Sequence, residues 1–324
     1  MPPAFSLAAL EEAAVRVHAL LPPTPQYHWP LLSRRAGAEV WVKHENHTPV
    51  GAFKVRGGIV LFDELKASRP GLPGVIAATR GNHGQSVAFS AARAGLKAVI
   101  VVPRGNSAGK NAAMRALGAE LVEHGEDFQA ALEHARVLAG ERGLLFVPSF
   151  APALVRGVAS YALELFRGAP RFDRVYVPIG LGSGICGVIA ARDALGLATE
   201  VVGVCAETAP SYALSFAAGR PVSTERADTM ADGMACRVPV EEALETILRG
   251  AGKVLTVTDA EIRAAMRALF SDTHNVAEGA GAAPLAAALK DRARTAGQRI
   301  AVVLSGGNVD PDVFASVLSE EEAP

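Results

Sequence analysis

Three observations predict an α/β fold built on doubly wound parallel sheet. Short runs rich in valine, isoleucine and leucine recur along the 324 residues, and longer alanine-rich stretches separate them. The short runs are apolar at consecutive positions, as in Lys97-Ala-Val-Ile-Val-Val102, which is the pattern of a strand covered on both faces. Strands that alternate with helical segments imply βα units and parallel pairing.

Taken in order, residues 39 to 45 read as extended. They lead through a Thr48-Pro49 and Gly51 turn into an apolar helical run, residues 55 to 65. Gly74 to Ala78 is a predicted strand and Asn82 to Ala94 a predicted helix. Lys97 to Val102 then precedes a helix over residues 108 to 117, and Glu120 to Glu123 precedes one over Phe128 to Arg142. Residues 144 to 147 close this half. Later strands are expected at residues 174 to 179, 199 to 206, 253 to 257 and 299 to 304, with helices between them. Residues 220 to 240, with Pro221, Asp232-Gly233 and Pro239, are helix-poor and are expected to form a functional loop.

Composition excludes several classes. With 50% hydrophobic residues the chain can bury a large core. Lys plus Arg total 32 against 33 Asp plus Glu, so no overall field favours nucleic acid or an anionic membrane. Met1-Pro-Pro-Ala-Phe-Ser-Leu7 is not a signal sequence, and no apolar run has bilayer-spanning length. The expected location is the cytoplasm. Cys186, Cys205 and Cys236 are too widely spaced for a disulfide framework or a metal set, and are expected to be small core residues.

Chemistry should appear in the turns beyond the carboxyl ends of strands. Lys54 stands at the start of a helical run, where the macrodipole disfavours its charged form. A lysine with a lowered pKa can attack a carbonyl and form a Schiff base. Thr79-Arg80-Gly81-Asn82-His83-Gly84-Gln85 follows a strand and opens a helix, whose free amides suit a carboxylate. Gly180-Leu181-Gly182-Ser183-Gly184 does the same in the second half, and its glycines let the backbone approach a phosphate closely. A rival reading exists at that loop. Gly182-x-Gly184-x-x-Gly187 followed by Glu207 also satisfies a dinucleotide fingerprint, which implies a nicotinamide-dependent oxidoreductase.

Together with Ser305-Gly-Gly-Asn308, these turns resemble the serine/threonine dehydratases, pyridoxal-phosphate enzymes of the tryptophan-synthase-like fold type II. The matching segments are Phe53-Lys54-x-Arg56-Gly57, Gly81-Asn82-His83-Gly84-Gln85, the 180 to 184 loop, Asp232-Gly233 and Ala277-Glu278-Gly279. The resemblance implies a large domain, residues 1 to 65 and 153 to 324, and a small one, residues 66 to 152, with pyridoxal 5'-phosphate in the cleft between them. It implies that Lys54 carries the cofactor as a Schiff base and then acts as general base, with Phe53 beside the ring. Gly180, Leu181, Gly182, Ser183 and Gly184 would hold the phosphate. Asn82 would reach the phenolic oxygen with Gly233 and Glu278 near the same site, and Ser305 would face the pyridine nitrogen. Thr79, Arg80, Gly81, Asn82 and His83 would bind the substrate.

The resemblance implies a homodimeric ammonia-lyase that converts a 3-hydroxy amino acid, threonine or serine first, to a 2-oxo acid and ammonia. A 3-hydroxyaspartate or phenylserine-type substrate, and a serine racemase-like activity, are the alternatives. Arg80 departs from the family's small residue and disfavours racemisation, because an arginine is a poor proton donor. It is expected either to recognise a second group on the substrate or to pair with a surface acid. No metal is expected, since the second carboxylate of the family's cation site falls on Ala213. No regulatory domain follows Pro324, so feedback inhibition is not expected. The remaining histidines, His44 among them, are read as surface or satisfied polar residues, Lys43 and His44 as strand-edge residues, and the acidic tail as solvated.

Overall fold

The computed structural model describes residues 5 to 320; the first four residues and the last four of the acidic tail lie outside the described residues. Two sheets carry the fold. The larger has six strands in the order β1 (Gln26–His28), β2 (Glu39–His44), β10 (Arg299–Leu304), β7 (Arg174–Pro178), β8 (Glu200–Ala206) and β9 (Lys253–Val257). The smaller has four, β5 (Glu120–Glu123), β4 (Lys97–Val102), β3 (Gly74–Ala78) and β6 (Leu145–Phe146). Every pairing is parallel except β1 with β2.

The consecutive apolar runs are explained by two-sided burial. Along β10, Ile300, Val302 and Leu304 face one core while Ala301 and Val303 face another. β3 repeats this, with Val75 and Ala77 on one side and Ile76 and Ala78 on the other. The pleat sends alternate side chains to opposite faces, so a strand between two helical layers must be apolar at every position.

Fourteen helices connect these strands among the described residues. Before β3 they are α1 (Leu7–His18), α2 (Pro30–Ala36) and α3 (Lys54–Ser68). Around the small sheet run α4 (Asn82–Ala94), α5 (Ala108–Ala116), α6 (Phe128–Arg142) and α7 (Pro152–Arg167). The large sheet carries α8 (Ser183–Ala194), α9 (Ser211–Ala218), α10 (Glu241–Gly250), α11 (Asp259–Thr273), α12 (Gly279–Lys290), α13 (Arg292–Thr295) and α14 (Pro311–Leu318). Residues 220 to 240 are irregular except for one 3-10 turn, Asp232–Met234.

Two expectations need correction. β1 was not expected, since three residues carry no usable periodicity; its pairing with β2 creates the strand. That pairing puts Lys43 and His44 inside the sheet, not on its edge, and both are buried. His44 accepts from the Trp29 indole at 3.0 Å, and burial, helped by His47 and Lys43, pushes its pKa down to about 4. In the tail, Glu320 is exposed as expected and also pairs with Arg263 and Arg267 of α11. Among the described residues no helix is long and apolar enough to cross a membrane.

Candidate active site

The site is a ring of turns. The loop before α3 is zipped to the turn after β10: Phe53 N–H donates to Ser305 O at 3.0 Å and Gly307 N–H to Gly51 O at 2.9 Å. Ala52 and Gly306 form an isolated antiparallel bridge. Ser305 is therefore buried against the residues that lead into Lys54.

Lys54 is the first residue of α3, and its Nζ donates to Ser183 Oγ, the first residue of α8, at 2.8 Å. The same ammonium lies 5.0 Å from the centroid of the Phe53 ring. Phe53 is wedged edge-on against Tyr161, at 6.1 Å between centroids. Desolvation lowers the Lys54 pKa to about 8. Burial thus adds to the macrodipole that the sequence already implies at the first residue of α3.

The 180 to 184 loop is built for close approach. Gly182 has φ 97°, a conformation that favours glycine, and a Cβ there would meet Ala243 Cβ at 2.6 Å. Gly180 faces Gly233 so closely that a Cβ would lie 2.1 Å from the Gly233 carbonyl oxygen. Leu181 O is fixed by the Tyr212 hydroxyl at 3.2 Å, and Gly184 O by the Tyr161 hydroxyl at 3.3 Å. A helix N-terminus, two flanking glycines and a hydroxyl thus converge on the lysine amine, which is an anion-binding arrangement.

The turn after β3 completes the ring. Thr79 Oγ1 accepts from the amides of Gly81 at 2.9 Å and Gly84 at 3.3 Å, which leaves the Asn82 and His83 amides without these partners at the start of α4. Thr79 therefore shapes the turn and keeps its own O–H to donate. Asn82 donates to Glu278 Oε1 at 2.5 Å and accepts from Asn308 Nδ2 at 2.9 Å. His83 is 6% exposed and neither ring nitrogen makes a well-formed hydrogen bond among the described residues; burial and the charge of Lys54 outweigh the nearby Val147 backbone and push its pKa down to about 3. A neutral, buried histidine replaces the surface one that a glycine-rich cap would carry.

Reading the sequence missed one group and left another without a role. Lys110, in α5, is buried with its stem over Gly81, and its Nζ lies 3.3 Å from Asp232 and 3.5 Å from Glu278. Burial outweighs these partners at Glu278 and raises that carboxyl's pKa. Arg80 points toward Asp232, with its Nε 3.7 Å from Asp232 Oδ1. Behind the lysine, Arg56 is fully buried between Glu45 and Glu164. Arg56 was visible in the Phe53-Lys54-x-Arg56 motif, although its partners were not; Lys110 lies in a plain helical stretch with no local signal. The expected members therefore do meet: Lys54, Phe53, the glycine loop, Gly233, Ser305, Asn82, His83, Arg80 and Glu278 all line one ring. Among the described residues no cluster of three or more metal-ligating side chains was found.

A family model described as pyridoxal-phosphate dependent enzyme matches residues 18 to 306. The chain is 33% identical over 320 residues to an L-threonine ammonia-lyase of Thermotoga maritima, covering 98% of this chain and 79% of that protein. It is 37% identical over 290 residues to the biosynthetic L-threonine dehydratase of Salmonella typhimurium, covering 89% of this chain but only 56% of that protein's length. Its fold superimposes with a TM-score of 0.87 on the crystal structure of a T.th. threonine deaminase, at 34% identity, over 94% of this chain and 99% of that one.

Proposed function

Because the chain belongs to the pyridoxal-phosphate-dependent enzyme family, we propose that it is an ammonia-lyase acting on a 3-hydroxy amino acid. With that membership the nicotinamide alternative for residues 182 to 187 is dropped. The observation that carries the reading is the 2.8 Å contact between Lys54 Nζ and Ser183 Oγ at the start of α8. It joins an amine of lowered pKa to a glycine-rich helix N-terminus suited to an anion.

The residues fit pyridoxal 5'-phosphate. Gly182, Ser183 and Gly184 would take the phosphate at the helix N-terminus, Lys54 the aldehyde carbon and Phe53 one edge of the ring. Ser305 would meet the pyridine nitrogen with a neutral hydroxyl, which does not favour a protonated ring. When bound, this group withdraws electrons from the substrate's Cα and so acidifies the Cα proton.

The protein's own groups do the rest. The Asn82 and His83 amides at the start of α4 hold the substrate carboxylate. Lys54, freed as an amine, removes the Cα proton, and the β-hydroxyl leaves as water. The product enamine tautomerises, takes up water and loses ammonia, so the net change is amino acid to 2-oxo acid plus ammonia. The two sheets support a division into residues 1 to 65 with 153 to 324, and residues 66 to 152, with the site between them. We assign the protein to the cytoplasm as a homodimer, which sedimentation of the purified chain checks.

Lys54→Ala should abolish turnover of threonine and serine, and the variant should lose the visible cofactor band that borohydride removes from the wild type. A Lys54→Ala protein with wild-type turnover would end this reading.

A further inference from the structure

One side of the ring is charged beyond what elimination requires. Arg80, Lys110, Asp232 and Glu278 form a cluster of two cations and two carboxylates. Asp232 lies 3.7 Å from Arg80 Nε and 3.3 Å from Lys110 Nζ, and Glu278 lies 3.5 Å from Lys110. Arg80 Nε is buried and has no hydrogen-bond partner among the described residues. Its guanidinium is held near an acid without being satisfied by it. Arg80 stands two residues before Asn82, in the same turn whose amides face the cleft. Asp232 adjoins Gly233, which packs on the phosphate-type loop.

We infer that this corner is a subsite for a second carboxylate on the substrate's β-carbon, bound by Arg80 in exchange for its loose contact with Asp232. The inference rests on the ammonia-lyase reading and names its substrate class, a 3-hydroxy dicarboxylic amino acid. The existing partners allow the exchange. The incoming carboxylate pairs with Arg80, Asp232 stays on Lys110, and Glu278 keeps its hydrogen bond from Asn82. A planar guanidinium suits a carboxylate through two parallel hydrogen bonds. The methyl of threonine would leave the buried Nε–H unpaired, and a site with an unpaired polar group discriminates strongly against such a substrate. Elimination from the dicarboxylate loses water, regains it on hydrolysis, and yields a 2-oxo dicarboxylate and ammonia.

The test uses the holoenzyme with L-threo-3-hydroxyaspartate and L-threonine, in wild type, Arg80→Ala and Arg80→Lys. It adds inhibition by L-aspartate and L-2-aminobutyrate, which lack the leaving hydroxyl. Wild type should prefer the dicarboxylate in kcat/KM by at least about tenfold. Arg80→Ala should cut that ratio by about 30-fold, the loss of one charged hydrogen-bonded pair, and Arg80→Lys by less. The inhibition constant of L-aspartate should rise with the same ranking, while the L-aspartate to L-2-aminobutyrate ratio collapses. Preference for threonine in the wild type, or parallel losses on both substrates, would overturn the subsite. Absence of turnover on both, with Arg80-dependent L-aspartate binding intact, would instead overturn the ammonia-lyase reading and leave the subsite standing.

Discussion

Two clusters of four charges flank Lys54, and they are satisfied to very different degrees. Behind the lysine, Arg56 and Lys43 meet Glu45 and Glu164. Arg56 donates to Glu45 at 2.7 and 3.0 Å, to Glu164 at 2.5 and 3.0 Å, and to Ser160 at 2.9 Å. Lys43 adds a bond to Glu164 at 2.6 Å and one to Thr24 O at 2.9 Å. In front, Arg80 and Lys110 meet Asp232 and Glu278 at 3.3 to 3.7 Å, and Arg80 Nε makes no hydrogen bond among the described residues. The same residue types therefore serve two purposes. A cluster in which every Arg56 nitrogen is bonded ties β2, α3 and α7 together and fixes where Lys54 begins its helix. One with donors to spare can exchange partners, which a binding site requires.

The difference can be broken most directly by truncation. Arg56→Ala should destabilise the fold by about 3–5 kcal/mol, because it strands two buried carboxylates. Arg80→Ala, at a side chain 32% exposed, should cost less than about 1 kcal/mol. Urea unfolding of both variants checks this, and equal losses would erase the distinction.

Acid should separate the two clusters next. Burial alone would raise the Glu164 carboxyl, but Arg56 and Lys43 outweigh it and bring its pKa to about 2. An acid lowered on folding adds stability above its unfolded value, which is lost as pH falls through about 2. Wild type should thus lose stability from about pH 4.3 downward, and Glu164→Gln should show a flatter acid limb on a lower baseline. The smallest effect is expected at Glu278. Its pKa is raised, so folding loses stability as pH rises above the unfolded value, and the sign is opposite. Glu278→Gln should stay within about 1 kcal/mol of wild type at neutral pH and remove that decline, as pH-dependent denaturation would show.

Much of the architecture was legible because it rests on local rules. Gly74–Ala78, Asn82–Ala94, Lys97–Val102 and Phe128–Arg142 end at the residues where their apolar runs and turn residues end. The site turns were legible for a related reason. Glycine-rich strand-to-helix turns expose amides wherever they occur, so Gly180 to Ser183 and Gly81 to His83 announce anion sites from composition alone. Lys110 was not, because nothing in its helix distinguishes it from a surface lysine until α5 is laid over Gly81 and beside Asp232. The second task of Thr79, accepting from two amides of its own turn, was likewise not legible.

The sequence by itself determined the alternation of strand and helix, the two-sided burial of the parallel strands, the lysine at the head of α3 and the glycine loops. Each follows from periodicity or backbone freedom within a few residues. Only the tertiary structure decided that β1 joins the sheet, that burial lowers the Lys54 pKa, and that Arg56 is saturated while Arg80 is not. Those properties depend on which groups from distant segments share a low-dielectric space. Partner distance and desolvation there are set by packing across more than a hundred residues of chain, as between Arg56 and Glu164 or Lys110 and Asp232.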